Sequence, residues 1–412
     1  MSERKRVLFI AEAVTLAHVA RPLALAAALD PAHYDITFAC NQRYKSFIGE
    51  LKCLFRDLYS VDSKQFLAAL ANGRPVYDVD TLRRYVRDDL ALINDVKPEL
   101  IVGDFRLSLS ASARFVGIPY MAICNTYWSP YYAHASFPLP VLPLSRRLPL
   151  PLARLLFRLA RPLAFALHSQ PLNRVRHELG LPGLGYDLRR IYTDADHTLY
   201  ADVPELFPTR DLPPNHHFLG PALWSPPQPK PEWWDNLPTG RAIVYVTLGS
   251  SGHPRLLSNI LAALSVLPVT AIVATANAPI KQAPAANVCT AAYLPGIEAA
   301  QRASLVICNG GSPTSQQALA AGVPVLGICG NLDQFLNMEA IAVAAAGLLV
   351  RADRADTASI RTAAQRLLGE PGFKERAREL AAILARYPAP RRFSELVGSL
   401  LYNARGARTI SI

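Results

Sequence analysis

The most constraining stretch of the chain runs from Ser304 to Asn337, SLVICNGGSPTSQQALAAGVPVLGICGNLDQFLN. A short apolar run, Leu305 to Cys308, enters a turn at Gly310 and Gly311 that is rich in small hydroxyls (Ser312, Thr314, Ser315). A helix is expected from about Pro313 to Ala321, then Gly322 and a second apolar run from Val323 to Ile328. Strand, glycine turn, helix and strand make one crossover unit of a parallel sheet. The turn sets backbone N–H groups at a helix N-terminus, where the helix dipole favours negative charge, so it reads as a phosphate seat. For the two glycines alone, a tight turn in any α/β protein is the plainer reading. Asp333, Gln334 and Asn337 weigh against it. They follow the second strand at its C-terminal end, where open α/β sheets bind ligands.

Gly310, Gly311, Thr314, Ala318, Leu319, Gly322, Val323, Pro324, Asp333, Gln334 and Asn337 stand in one register. That pattern resembles the donor-binding signature of the nucleotide-sugar glycosyltransferases of the GT-B fold, the family of plant, macrolide and glucuronosyl transferases. The resemblance implies two Rossmann-like parallel-sheet α/β domains facing across a cleft, with the donor held by the second. Two positions depart from the family. Asn309 replaces the His that contacts the diphosphate, and Gln317 replaces the Glu that clamps the ribose. Asn309 keeps a hydrogen-bond donor without a charge. Gln317 gives up a charge-assisted bond, which is about twice as strong as a neutral one. A deoxythymidine diphosphate sugar, with one fewer ribose hydroxyl, is one reading of the change. Weak donor binding rescued by a partner and a silent relative are the others.

At 412 residues the chain is long enough for two domains with substantial cores. The resemblance places an acceptor-binding domain at 1–205, a proline-rich linker at 206–240 and a donor domain at 241–390. Residues 391–412 are expected to form a closing helix that crosses back to the first domain. Six cysteines without a C-x-x-C pair read as buried thiols in a reducing compartment. The start, MSERKRVLFIAEAVTLAH, looks like a signal peptide, but Glu12 interrupts its apolar run and a parallel strand explains it better. Uncharged stretches at 115–145, 256–280 and 303–332 are broken by Pro, Gly and polar residues, so no transmembrane helix is expected. The expected location is cytoplasmic, with peripheral contact at the inner face of the membrane as the further possibility.

The first strand is read at Val7 to Ala11 and its helix at Arg21 to Leu29, with His18 in the loop between them. The family carries its general base in that loop, so the resemblance implies that His18 deprotonates the acceptor; a structural histidine is the alternative. Leu100 to Asp104 reads as a buried strand with Asp104 at its tip. The resemblance makes Asp104 the partner of His18, fixing its tautomer and stabilising the imidazolium. A plain N-cap for a helix at 107–116 competes with that role. Strands are further read at Gly117 to Met121 and at Tyr192 to Tyr200, the latter as the last of the first domain. Tyr127, Trp128 and Tyr131 crowd the loop between them, as an acceptor wall or as ordinary loop packing.

In the second domain, Gly249 and Ser250 follow a strand as secondary donor contacts, and the resemblance puts Tyr293 and Leu294 against the base. Together with Asn309, Gly310, Gly311, Ser312, Thr314, Gln317, Asp333 and Gln334 they make up the donor set. No Asp-x-Asp flanks the donor motif, which agrees with metal-independent transfer and no cofactor beyond the nucleotide-sugar co-substrate. An epimerase of nucleotide sugars and a silent binding protein are the rival functions.

A net charge of +11 suits a diphosphate donor, nucleic acid or anionic lipid. No module for reading nucleic acid is recognisable, so that partner is set aside. From Phe105 to His177 there is no Asp or Glu, while nine arginines fall inside. Arg154, Arg158 and Arg161 recur against Leu152, Leu155, Leu156, Phe157 and Leu159 in a helix expected to open at Pro149 and Pro151. The segment 146–161 thus reads as a basic amphipathic helix for anionic lipid, or as a solvated Arg face.

Overall fold

The computed structural model describes residues 4–49, 51–134, 136–249, 256–277 and 285–402. The chain divides into two compact units, one of Met1–Ala135, Arg158–Ala222 and Tyr387–Ile412, the other of Ser136–Phe157 and Leu223–Arg386. Each holds one wholly parallel sheet.

The sheet of the first unit contains β1 (Lys5–Ala11), β2 (Tyr34–Cys40), β3 (Leu54–Asp57), β4 (Leu100–Asp104), β5 (Tyr120–Cys124), β6 (His197–Tyr200) and β7 (His216–Phe218), in the order β3-β2-β1-β4-β5-β6-β7. The second contains β8 (Ala242–Thr247), β9 (Val269–Ala274), β10 (Val288–Ala291), β11 (Leu305–Cys308), β12 (Val325–Cys329) and β13 (Gly347–Arg351), in the order β10-β9-β8-β11-β12-β13. The central strands β4, β5, β11 and β12 are buried at every residue. This is why they read as continuous apolar runs and not as alternating ones: a parallel sheet with helices on both faces has no wet side. In each sheet the strand order reverses once, between β1 and β4 and between β8 and β11. Ligands of doubly wound sheets bind at such a switch point, beyond the strand C-termini.

Several expected boundaries move. The first helix begins at Ala17 and runs to Ala26 with Pro22 inside it, so His18 lies in its first turn and not in a loop. Pro22 removes the N–H that would bond the His18 carbonyl, which loosens this turn without ending the helix. The fifth strand starts at Tyr120 because Gly117, at φ 69°, closes the preceding helix Leu109–Val116 in the left-handed conformation. Tyr200 does not end the first sheet, because β7 adds a strand from within the proline-rich segment, pairing Thr198 with His216. Residues 136–157 group with the second unit: Arg351 donates to the Leu139 carbonyl, and the Val141 N–H bonds the Gly330 carbonyl at 2.8 Å.

The last helix, Ala389–Tyr402, belongs to the first unit. Its Phe393 is fully buried with its ring 6.0 Å from that of Phe9 on β1, and the Tyr402 hydroxyl donates to the His33 carbonyl at 3.0 Å. Among the described residues no helix is long and apolar enough to cross a membrane.

Candidate active site

β1 and β4 run side by side with Ala11 opposite Asp104, so whatever follows β1 meets the tip of β4. His18 arrives there on the first turn of its helix. Its Nδ1 lies 2.8 Å from Asp104 Oδ1, with the Asp104 side chain fully buried and that of His18 19 % exposed. A carboxylate only accepts, so this contact favours the tautomer with the hydrogen on Nδ1 and the lone pair on Nε2, while Arg21 Nη2, which only donates, also approaches Nδ1 at 3.2 Å. No described residue bonds Nε2. A histidine held in this way is oriented by the carboxylate behind it. The capping role for Asp104 falls away, since the following helix starts at Leu109 with Ser108 before it.

Asp104 is not held by His18 alone. Arg21, one turn further along the same helix, grips it with two bonds of 2.7 Å, Nε to Oδ2 and Nη2 to Oδ1. Burial works against the Arg21 charge, but the adjoining carboxylate more than restores it and holds the guanidinium cationic. Arg21 Nη1 donates to Asn125 Oδ1 at 2.6 Å, and Asn125 Nδ2 in turn donates to Asp202 at 3.2 Å. Burial pushes the Asp202 carboxyl up to about 6, against the bonds it accepts from the Thr126 N–H and from Asn125. The chain His18–Asp104–Arg21–Asn125–Asp202 thus ties the ends of β1, β4, β5 and β6 together. Only its first two members were legible as a pair. Arg21 is visible in sequence as the residue one helical turn after His18, but nothing local says that it faces Asp104.

Phe105 is the second residue that sequence reasoning missed. It adopts φ 56°, an uncommon conformation for a bulky side chain, and its ring stacks on His18 at 4.6 Å and 12°. Backbone held there costs on the order of 1–3 kcal/mol, and such outliers collect at functional sites. Beneath lies a second buried network. Arg106 bonds Asp89 at 3.0 Å and Glu12 at 3.2 Å, and all three side chains are fully buried. Burial pushes both carboxyls up even against Arg106. Desolvation disfavours the charged form of each carboxyl, and Arg106 with the surrounding hydrogen bonds opposes it.

The aromatic loop behaves unevenly. Tyr127 is 1 % exposed and packs on Phe207 at 5.4 Å, so it is interior packing and offers no wall. Trp128 and Tyr131 are half-buried, edge-on to Tyr192 at 5.0 Å and to His216 at 5.2 Å. The tripeptide Asp194-Ala195-Asp196 is occupied by arginines: Arg114 and Arg176 each reach Asp194 at 3.0 Å, and Arg114 reaches Asp196 at 3.5 Å.

The donor turn assembles at the other switch point. Cys308 at the end of β11 pairs with Thr247 at the end of β8, which brings Gly249 beside Asn309. A Cβ on Gly249 would sit 3.5 Å from Asn309 Nδ2. Asn309 Oδ1 accepts from the Gly311 N–H at 3.0 Å, bracing the turn. Gly310 needs to be glycine twice over: its φ is 83°, and a Cβ would lie 2.6 Å from Cys329 Sγ and 2.8 Å from Met338 Cγ. Asn337 holds the turn from behind, donating to the Gly310 carbonyl and to Ser315 Oγ, each at 2.8 Å. The helix that follows, Ser312–Ala320, has Gly311 at its cap and no side chain capping it. Ser312 is buried and Thr314 half-buried in its first turn.

Two donor candidates, Gln317 and Gln334, bond within the protein, and a third, Leu294, is buried. Gln317 donates its amide to the Trp224 carbonyl at 2.7 Å. Gln334 Oε1 accepts from the Gly330 N–H at 2.8 Å and, in a capping box, from the Asn331 N–H at 3.3 Å. Leu294 is 3 % exposed, so it has only backbone to offer. Asp333 sits half-buried in the first turn of helix Leu332–Val343. Tyr293 is 37 % exposed, with its hydroxyl accepting from Asn277 at 3.3 Å. Ser250 lies outside the described residues.

Residues 258–400 match the family described as erythromycin biosynthesis protein CIII-like, C-terminal domain. A PGL/p-HBAD biosynthesis rhamnosyltransferase of Mycobacterium bovis (strain BCG / Pasteur 1173P2) is 52 % identical over 385 residues, covering 93 % of this chain and 85 % of that protein. Spinosyn forosaminyltransferase SpnP has a similar structure, with a TM-score of 0.71 and 20 % identity over 97 % of this chain and 99 % of its own. Spinosyn rhamnosyltransferase SpnG, solved with thymidine diphosphate, has a TM-score of 0.69 at 18 % identity, covering 96 % and 99 %. The two parallel sheets and the identity sustained through both units lead to one conclusion: the chain belongs to the macrolide-type glycosyltransferases of the GT-B fold.

Proposed function

We propose that this glycosyltransferase moves a deoxyhexose of the rhamnose type from a nucleoside diphosphate donor to a hydroxyl of a lipid-like or small-molecule acceptor, with inversion and without a metal ion. The relative named a PGL/p-HBAD biosynthesis rhamnosyltransferase supports the sugar class and a glycolipid setting. The observation that carries the mechanism is the 2.8 Å contact of His18 Nδ1 with Asp104. It leaves Nε2 to accept the acceptor's hydroxyl proton as the oxygen attacks the anomeric carbon. The bond from that carbon to the diphosphate oxygen breaks, and the nucleoside diphosphate leaves with the electron pair. One displacement gives inversion. Asp104 offsets the charge of the imidazolium that forms.

The charge that develops on the leaving diphosphate is matched by backbone N–H groups and the dipole at the start of helix Ser312–Ala320, a fixed set of dipoles that needs no reorganisation. The loss of a cationic His and an anionic Glu at Asn309 and Gln317 supports a deoxythymidine diphosphate sugar over a uridine one. With Gln317 tied to the Trp224 carbonyl, less is left to bind a second ribose hydroxyl.

The test is a metal-free thermal-shift panel of deoxythymidine, uridine and guanosine diphosphates, followed by transfer assays with the stabilising nucleotide's sugars. A shift with the deoxythymidine nucleotide, turnover that survives chelator and a product of opposite anomeric configuration are expected. Retained configuration would overturn the single displacement, and a shift confined to guanosine diphosphate would overturn the donor reading.

A further inference from the structure

The long helix Leu150–Glu178 carries the most conspicuous apolar exposure in the molecule. Six of the fifteen large apolar side chains exposed among the described residues lie on it: Leu152, Leu155, Leu156, Leu159, Leu163 and Leu167. Leu159 is 68 % exposed and Leu163 64 %. At 3.6 residues per turn these six share an arc of about 120° over a length of about 25 Å. Arg154, Arg158 and Arg161 fall on the opposite side of the same helix, and Arg146 and Arg147 are exposed in the turn before it. No ion pair engages Arg146, Arg147 or Arg158 among the described residues, and the chain has no acid from Phe105 to His177. Ala153 is the only residue fully buried between 150 and 168, so the helix is left with both its apolar and its basic face uncovered.

We propose that this helix docks the protein on an anionic lipid surface, lying in the plane of the interface. The leucine stripe enters the boundary between headgroups and acyl chains, while the arginines stay among the lipid phosphates, their apolar stems extending along the helix. Charge selects this occupant. A second copy of the chain would bring another +11 and the same arginines to the contact, and like charges across an interface oppose association. An anionic leaflet attracts them, and each basic residue near its surface adds to binding. The length and composition suit an in-plane helix and not a spanning one, since arginines recur every turn. The inference stands on exposure and charge alone and holds whatever the sugar or acceptor.

The test is flotation of the full-length protein with vesicles of phosphatidylglycerol and phosphatidylcholine, against vesicles of phosphatidylcholine alone. Binding to the anionic vesicles, weakened by salt, is expected. Leu159→Glu with Leu163→Glu should abolish it, and Arg147→Glu with Arg158→Glu should weaken it by on the order of tenfold. Both pairs are exposed, so the melting temperature should stay at the wild-type value. A tryptophan at position 163 should shift its emission to the blue only with anionic vesicles. Equal partition to both vesicle types, or a dimer in solution that the leucine substitutions dissociate without any vesicle binding, would overturn the proposal.

Discussion

The two switch points solve the same topological problem with opposite chemistry. At the β1/β4 end the polar groups are largely ionisable and joined in a chain: His18 to Asp104, Asp104 to Arg21, Arg21 to Asn125 and Asn125 to Asp202, each link within 3.2 Å. Among the described residues at the β8/β11 end they are neutral and mostly backbone: Gly310 and Gly311 braced by Asn309 and Asn337, before a helix with no side-chain cap. A base must change protonation state within one catalytic cycle, so it needs a charge poised beside it. A seat for a group that arrives already ionised needs only dipoles. The cost differs accordingly. Buried ions lose several kcal/mol each when a partner is removed, whereas a lost neutral hydrogen bond costs on the order of 1–3 kcal/mol.

That contrast can be broken most sharply at His18. His18→Ala should cut turnover by about 10²–10⁴-fold while leaving the nucleotide-induced thermal shift intact. Retained turnover with an unchanged pH profile would remove His18 from the chemistry. Arg21→Ala tests whether the first site depends on its ion chain. Leaving Asp104 buried against a largely buried His alone should destabilise the protein by about 3–5 kcal/mol, read by denaturant unfolding. A loss under about 1 kcal/mol would mean that Asp104 is solvated in ways its burial does not suggest.

Asn337→Ala probes the other end. Losing its two bonds to the turn should cost about 1–3 kcal/mol, seen as a higher donor KM with kcat nearly kept. An equal fall in kcat would place the turn in the transition state rather than in binding. The smallest effect is expected from Asp202→Asn. The Asp202 carboxyl is raised in the folded protein, so folding takes up a proton, and its favourable contribution fades as pH rises from about 4 through about 6. The variant's stability should therefore gain on the wild type across that window and run parallel above it. Parallel curves throughout would show that Asp202 stays ionised.

The donor half was the more legible in sequence, and the reason is local. Its strand, glycine turn and helix are consecutive, so Gly310, Gly311, Ser312 and Thr314 fall together wherever the chain forms them. What escaped there was non-local use: that Gln317 would spend its amide on Trp224 and Gln334 its oxygen on a helix cap. In the other half the pairing of His18 with Asp104 is visible only through resemblance, because 86 residues separate them. Arg21, Phe105 and Asp202 were missed since their partners sit on other strands. The position of His18 in a helix, the interior place of Tyr127 and the late strand β7 were misjudged for a related reason. Proline and aromatic residues carry weak signals when tertiary packing decides their setting.

The helix Ala389–Tyr402 has a consequence for how the protein is made. It seals Phe9 and Tyr34 in the first unit, yet it leaves the ribosome only after the whole of the second unit has been synthesised. At about 5–20 residues per second, roughly ten to thirty seconds pass between the end of the first sheet and the arrival of its final piece. For that interval the newborn first unit presents an uncovered apolar face to every chaperone and neighbour it meets. A stop codon just before Ala389 would remove this cover while every residue of both candidate sites was already in place.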